Sequence, residues 1–151
     1  MYGKLDTLNR AIRLFRDTGN PIVYVYFDGD GHGTEGVERP DDLIDGLIGP
    51  VDGDRIVHKR YMNSFRGTDL DRVLEDTGCD GVVLAGLVAR FCVLSTYFGV
   101  FDHDLRPYIL SGGVASTVES HIGNVEAICN VTTVDEIRSN IHFSAASPSN
   151  R

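Results

Sequence analysis

The chain has 151 residues, of which 42% are hydrophobic and 24% are charged, a size and composition typical of one globular domain with its own core. The formal net charge of −8 at pH 7 argues against the basic surfaces with which proteins bind nucleic acids or anionic membranes. We therefore predict neither a nucleic-acid partner nor a membrane partner, and the apolar runs are too short to cross a bilayer.

The cysteine pattern and the amino terminus predict the compartment. Cys79, Cys92 and Cys129 are odd in number and widely spaced, in a chain large enough to fold without disulfide bonds. This pattern predicts free thiols in a reducing environment. The polar amino-terminal segment lacks the apolar stretch of a signal peptide, so we expect a cytoplasmic location.

Helical repeats and apolar runs alternate along the chain, and glycine or proline marks many of their boundaries. In chain order, the predicted elements are a helix over 4–18, a strand over 22–27, a polar glycine-rich loop over 28–40, a short helix over 41–47, a strand over 55–59, a helix over 68–78, a strand over 81–86, a helix over 91–103, a strand over 106–110, a helix over 116–129, and a short strand and helix within 130–141.

Local signals predict where some of these helices begin and end. Thr68 is expected to cap one helix and Gly78 to end it. Ser116 and Glu119 have the spacing of a capping box. The alternation of strands and helices predicts an α/β fold with a parallel sheet and right-handed crossovers, in a single domain over 1–151 whose tail, 142–151, is frayed.

Two residues fall where binding sites lie in such sheets, at the carboxyl ends of the strands. Lys59 closes the strand over 55–59, and Cys92 lies in the first turn of the helix after the next strand. A helix amino terminus and a nearby ammonium both favour the thiolate form of cysteine, and the free N–H groups there can hold an oxyanion. The alternatives are that Cys92 is a small apolar core residue and Lys59 a solvated lysine. Cys79 and Cys129 have the pattern of structural residues.

Other site types find little support in the sequence. No histidines have HxH or HExxH spacing, and Asp30 and His32 lack a second histidine nearby, so we predict no metal. The glycines form no phosphate-binding loop, and neither Ser95 nor Ser116 lies in a GxSxG turn. We therefore predict no cofactor, and the absence of a phosphate loop also weighs against a flavodoxin-like or nucleotide-binding domain.

The segment VHKRYMNSFRGTDLDRVLEDTGCDGVVLAGLVARFCVLST, residues 57–96, resembles the isochorismatase-like cysteine hydrolases, which include nicotinamidases, N-carbamoylsarcosine amidohydrolases and isochorismatases. The resemblance rests on Lys59 followed six residues later by Phe65, on the TDL that starts the next helix, and on GLVARFCV, which places Cys92. It covers about residues 5 to 130 and implies a three-layer α/β/α fold with Rossmann-like strand order.

The resemblance also implies the roles of individual residues. Cys92 would attack an amide-type carbonyl and form a thioester, while Lys59 would stabilise the thiolate. The oxyanion hole would use the Cys92 N–H and a backbone N–H beside a cis peptide bond at Leu87–Val88. Phe65 and Phe91 would line the pocket, and family members commonly form oligomers, so we expect a homo-oligomer.

The sequence departs from the family pattern at several positions. The family's catalytic aspartate ends a first strand that this chain lacks, and Asp6 lies in the opening helix, so no family aspartate is found. The family's Thr-Asp before the cysteine is Ala89–Arg90 here, and another family aspartate is Gly112. For the family's first strand, we expect one of three explanations: the strand order has rearranged, a partner chain fills the position of that strand, or the chain is a shortened product. Lys59 would act as the base if burial lowers its pKa.

Two functions remain open from the sequence. The first is an isochorismatase-family hydrolase that cleaves a C–N bond of a small amide-type substrate. The alternative is a catalytically degenerate family member that serves as an oligomeric binding or assembly module, which the missing aspartate and the missing strand favour.

Overall fold

The computed structural model describes residues 2–28 and 45–141, with side chains from residue 4 onward within those ranges. The loop predicted after Asp28 and the predicted tail lie outside the described residues, as does most of the helix predicted over 41–47; residues 45–47 are not helical. The elements are α1 (Tyr2–Asp17), β1 (Val23–Phe27), β2 (Arg55–Lys59), α2 (Leu70–Thr77), β3 (Gly81–Leu87), a π-helical turn (Ala89–Val93), α3 (Leu94–Asp102), β4 (Arg106–Ala115), α4 (Glu119–Ile128), β5 (Val131–Thr132) and α5 (Val134–Asn140).

Every strand pairing among the described residues is parallel, which confirms the predicted α/β class. β1 pairs with β2 in register from Val23 opposite Arg55 to Phe27 opposite Lys59. β3 pairs with β4, and β4 pairs with β5. The strands form two sheets, β1–β2 and β3–β4–β5, where the sequence predicted one. Among the described strands, β1 and β3 therefore each have a hydrogen-bonded partner on one edge only.

Helices cover both faces of the larger sheet, which gives the predicted three layers. On one face, Ile109 of β4 lies in a cluster with the π-helical turn, α3 and α4. On the other face, Leu110 packs against α1 and α5. A third cluster joins α2 to Val57 of β2 and to partly buried residues of β1 and β3. None of the described helices is long and apolar enough to cross a membrane.

The helix boundaries correct two predictions. The N-cap of α2 is Asp69, not Thr68, and the Thr68 hydroxyl instead accepts a hydrogen bond from the Leu70 N–H at 3.3 Å. Gly78 ends α2 with a φ of 64°, as predicted. The capping box predicted for α4 was wrong, because the Ser116 hydroxyl accepts from the Val118 N–H, two residues along the chain, and the helix begins only at Glu119.

A capping box is present instead at α5. There the Thr133 hydroxyl accepts from the Glu136 N–H at 3.2 Å, and the Glu136 carboxylate accepts from the Thr133 N–H at 2.8 Å. This arrangement satisfies two backbone donors at the start of a helix of seven residues.

β4 is twice as long as predicted, with ten residues instead of the five over 106–110. The strand continues through Gly112, whose φ of 72° is accessible to glycine at little cost, and its pairing with β3 shifts register between Leu84 and Gly86. The helix predicted to start at Phe91 starts as the π-helical turn at Ala89, so Cys92 lies in that turn and α3 follows it.

Candidate active site

Lys59 is the last residue of β2 and the one charged residue among the buried residues of the described ranges. It is 5% exposed, and its Nζ donates a hydrogen bond to the Met62 carbonyl at 2.7 Å. The ammonium also lies 5.9 Å from the centroid of the Phe27 ring, at the end of β1. A lysine is rarely buried without a partner group, so its surroundings indicate a specific role.

Cys92 lies in the π-helical turn between β3 and α3. Its thiol is free and half-buried. The turn is closed by hydrogen bonds from the Phe91 and Val93 N–H groups to the Val88 carbonyl, at 3.0 and 3.3 Å. The peptide bond between Leu87 and Val88 is cis, at the position that the resemblance implies.

The side chains of Lys59 and Cys92 interact, although Lys59 ends β2 and Cys92 follows β3 of the other sheet. Burial lowers the pKa of Lys59 below its ordinary value, and the charge of Cys92 and a hydrogen bond with it partly oppose that lowering. The lowered pKa favours neutral Lys59, the form in which an amine can accept a proton. The pair can therefore hold one proton between an amine and a thiol.

A buried hydrogen-bond network fixes the segment between Lys59 and α2, and sequence reasoning missed it. The Thr96 hydroxyl accepts from the Ser64 N–H at 3.0 Å, bonds to the Ser64 hydroxyl at 2.8 Å, and donates to the Met62 carbonyl at 3.4 Å. The Met62 carbonyl thus accepts from Thr96 and Lys59. Thr96 lies four residues after Cys92, a helical spacing that could have indicated a shared face.

The two predicted pocket aromatics lie in different places. Phe91, next to Cys92, has the Arg90 guanidinium over its ring at 4.1 Å. Phe65 stacks on His103 with ring centroids 4.0 Å apart, at the carboxyl end of α3. His103 follows Cys92 by a span equivalent to about 16 Å of helix. The structure thus places Phe91 beside the thiol and Phe65 toward the other end of α3, and their role in a substrate pocket stays a prediction.

No carboxylate among the described residues lies within 4 Å of Lys59 Nζ. Asp28 follows β1, and its N–H donates to the Lys59 carbonyl at 2.7 Å, but its carboxylate accepts from His58 Nδ1 at 3.0 Å. Asp6 is exposed on α1. Within the described part of the chain, the lysine–thiol pair therefore lacks an acidic third member.

The other cysteines lie apart from Lys59. Cys79 packs against the α2 cluster, with its Sγ 3.8 Å from the Leu74 carbonyl oxygen. Cys129 packs beside the cluster of α3 and α4, and burial raises the pKa of its thiol. Residues 2–28 and 45–141 contain no cluster of three potential metal ligands. Asp30 and His32 lie outside the described residues.

The fold and this site define a parallel α/β protein with a buried lysine beside a half-buried thiol, and comparison with known proteins identifies its family. The family model "Isochorismatase domain" matches residues 3–135. That match covers most of the chain, so the chain belongs to the isochorismatase family.

Individual relatives are distant but cover much of the chain. The uncharacterized isochorismatase family protein YddQ of Bacillus subtilis is 27% identical over 110 residues, which are 68% of this chain and 58% of that protein. The N-carbamoylsarcosine amidase structure from Thermoplasma acidophilum is 27% identical with a TM-score of 0.75, over 90% of this chain and 85% of that one. An isochorismatase-like hydrolase from Alkaliphilus metalliredigens is 28% identical with a TM-score of 0.75, over 89% and 81%. The chain thus spans less than two thirds of the length of YddQ.

Proposed function

We propose that this chain is a cysteine hydrolase that cleaves a C–N bond of a small amide-type substrate through an acyl-enzyme on Cys92. The observation that carries the proposal is the interaction of Cys92 with Lys59, a lysine only 5% exposed. Transfer of the thiol proton to neutral Lys59 leaves a thiolate, the nucleophilic form, beside an ammonium that stabilises it. A cysteine that only fills space would not account for a buried lysine held against it.

The chemistry follows from the positions of these two groups. Neutral Lys59 takes the proton of the Cys92 thiol, and the thiolate attacks the substrate carbonyl carbon. The Cys92 N–H and a backbone N–H beside Leu87–Val88 stabilise the oxyanion. The C–N bond breaks, the leaving nitrogen takes the proton from Lys59, and a thioester remains.

Water completes the reaction. It gives a proton to Lys59 as it attacks the thioester carbonyl, and the C–S bond breaks. The proton passes from Lys59 to Cys92, which restores the starting pair. The net change is the addition of one water to the amide-type bond, with release of a carboxylic acid and an amine.

The test is amine or ammonia release from a panel that contains nicotinamide, N-carbamoylsarcosine and simple amides, with the disappearance of isochorismate, a non-amide, followed separately. We expect turnover of at least one amide by the wild-type chain and by Cys79→Ser, and none by Cys92→Ser. An acyl adduct should appear in the intact mass of the wild-type chain and be absent from Cys92→Ser. Turnover by Cys92→Ser equal to wild type would contradict the mechanism.

One observation favours a second function. The described residues place no carboxylate at Lys59, whereas both halves of the reaction need proton transfer. The second proposal is an assembly module that keeps the fold without hydrolysis. It predicts no turnover on the whole panel together with a stable homo-oligomer in sedimentation equilibrium. Turnover by a chain that is monomeric in sedimentation equilibrium would exclude this second proposal. Oligomerisation and the cytoplasmic location stay predictions.

A further inference from the structure

The outer face of α3 is apolar although it is exposed. In the sequence of this helix, LSTYFGVFD, Asp102 is the one charged residue. Phe98 is 51% exposed and Phe101 is 49% exposed, while the inner face of the helix packs in the core. A surface helix normally presents polar side chains to water, so an apolar outer face indicates that α3 packs against a partner on that side as well.

The core holds the two exposed rings in place. Tyr97, which is 3% exposed, contacts both rings edge to face, with its centroid 5.4 Å from that of Phe98 and 5.5 Å from that of Phe101. The Tyr97 hydroxyl in turn accepts a hydrogen bond from the Asn130 N–H at 2.8 Å. An aromatic surface that is fixed before binding loses little conformational entropy when a partner covers it.

The exposed face extends into the π-helical turn and has a charged residue at each end. The turn continues directly into α3, because the Leu94 N–H donates to the Ala89 carbonyl. Residues three or four apart lie on one face of a helix. We name the set with this spacing the α3 stripe, and its members are Arg90, Leu94, Phe98, Phe101 and Asp102. Arg90 and Asp102 are both exposed, and twelve residues of helix place them about 18 Å apart.

The order of charges in the α3 stripe indicates which partner fits it. Within residues 2–28 and 45–141, neither Arg90 nor Asp102 has an ion-pair partner. From its amino end, the stripe presents a cation, three apolar side chains and an anion. A rotation of 180° about an axis through the middle of the stripe brings the cation of one copy opposite the anion of another. The stripe is therefore complementary to itself in an antiparallel arrangement, as an interface between two-fold related copies must be.

We propose that the α3 stripe binds the α3 stripe of a second copy of this chain, antiparallel, in a two-fold symmetric dimer. Arg90 pairs with Asp102 of the second copy, and Leu94 packs on Phe98 of the second copy. Each of these contacts occurs twice, because the two copies exchange roles across the axis. The proposal concerns association and rests on neither proposed function.

The same pairing places the second copy beside the candidate site. The Arg90 guanidinium lies over the Phe91 ring at 4.1 Å, so a carboxylate that pairs with Arg90 comes close to the residue that precedes Cys92. One pair of helices of this length buries less surface than the roughly 800 Å² per partner of a standard interface. We therefore expect a reversible dimer with a dissociation constant in the micromolar range.

The experiment is sedimentation equilibrium of the full chain from about 1 μM to about 1 mM, a range that brackets such a dissociation constant. The charge variants are Arg90→Asp, Asp102→Arg, the double variant with both substitutions, and an equimolar mixture of the two single variants. Phe98→Ser tests the apolar contact, and Val51→Ser is its control, because Val51 is similarly exposed, at 54%, in the turn before β2. Circular dichroism confirms that each variant is folded.

We expect the wild-type mass to rise with concentration from that of one chain to that of two. Each single charge variant should dimerise about tenfold more weakly, because two ion pairs become two like-charge contacts. The equimolar mixture and the double variant should regain the wild-type dissociation constant, since both restore two opposite-charge pairs. Phe98→Ser should weaken the dimer about a hundredfold, and Val51→Ser should leave it unchanged.

Three results would overturn the proposal. One is a wild-type chain that stays monomeric over the whole range of concentration. Another is a dimer that Phe98→Ser and both single charge variants leave unchanged, which would place the interface elsewhere on the surface. The third is an equimolar mixture that associates no better than the single variants, which would show that the two charges do not face each other across the dimer.

Discussion

Each sheet leads to one residue of the candidate site, Lys59 at the end of β2 and Cys92 after β3, but the two sheets are built differently. In β4, five of the ten residues are buried, and all of them are apolar or glycine. In β1 and β2, which also total ten residues, three are buried, and one of these is Lys59. The β3–β4–β5 sheet is held by apolar packing on both faces, whereas polar contacts fix much of the β1–β2 sheet. Cys92 thus follows a strand of the well-packed sheet and Lys59 ends a strand of the sparsely packed one.

The largest expected loss of stability comes from replacing a buried isoleucine in one sheet, compared with the same replacement of an exposed isoleucine in the other. Ile109→Ala in β4 removes a side chain with 0% exposure and should lower the free energy of unfolding by about 4 kcal/mol. Ile56→Ala in β2 removes one that is 50% exposed and should cost about 1 kcal/mol or less. Urea unfolding of both variants measures the difference. Equal losses would show that β2 is covered as completely as β4.

The next prediction concerns the polar attachment of β1–β2 to α1. Arg16 Nη2 donates to Asp54 at 2.7 Å and to the Gly49 carbonyl at 2.9 Å. Arg16→Met removes the cation from the nearly buried Asp54 carboxylate, which keeps the Val51 N–H at 3.0 Å, and should cost about 2 kcal/mol. Arg13→Met, an exposed position on the same helix, is the control and should change stability by about 0.5 kcal/mol at most. If both variants unfold at the same urea concentration, apolar contacts alone hold the sheet.

A smaller loss of stability is expected from a substitution where α3 packs against the segment that follows Lys59. A Cβ on Gly99 would lie 2.7 Å from Asn63 Oδ1 and 2.8 Å from Phe65, so Gly99→Ala should cost about 1.5 kcal/mol. Gly123→Ala in α4 meets no atom within 4 Å and should stabilise the helix slightly. Thermal unfolding compares the two variants. An unchanged melting temperature in Gly99→Ala would mean that Asn63 and Phe65 move aside at no cost in stability.

The smallest effect is a pH dependence of stability that comes from Lys59. Burial lowers its pKa in the folded chain, so near and below the ordinary lysine pKa the unfolded chain binds more protons. Raising the pH between the folded and unfolded pKa values should therefore stabilise the fold. Stability from this residue is fully present above the unfolded value and is lost as pH falls through the folded one. In Lys59→Met, the free energy of unfolding by urea should depend less on pH in that range. An unchanged pH dependence would contradict the assignment of the effect to Lys59.

Much of the fold was predictable because local patterns decided it. The strand over 55–59 was predicted residue for residue, since the β-branched Ile56 and Val57 follow the polar and glycine residues 52–54. The start of α4 was not predictable, because the Ser116 hydroxyl can accept either from a helix N–H or from its near neighbour Val118. The extension of β4 through Gly112 was missed because glycine usually interrupts a strand.

The positions of the two site residues were predictable from the sequence, but the contacts around them were not. The strand-end position of Lys59 and the spacing to Cys92 could be read from the sequence together with the family resemblance. Burial of Lys59 and its bond to the Met62 carbonyl depend on how two sheets and α3 meet, which no local pattern encodes. The role of Thr96 also depends on that junction. The separation of the described strands into two sheets was not predicted, because the pairing between strands is not encoded in any one segment.

The alkylation rate of each cysteine by iodoacetamide against pH, followed by peptide mass spectrometry, tests the central claim that Lys59 activates Cys92. Cys79 and Cys129 serve as internal references, and the Cys129 thiol should react only at raised pH because burial raises its pKa. We predict that Cys92 is alkylated faster than Cys79 near neutral pH, and that Lys59→Met removes this difference. If Cys92 reacts no faster than Cys79 at every pH, or if Lys59→Met leaves its rate unchanged, the claim is contradicted.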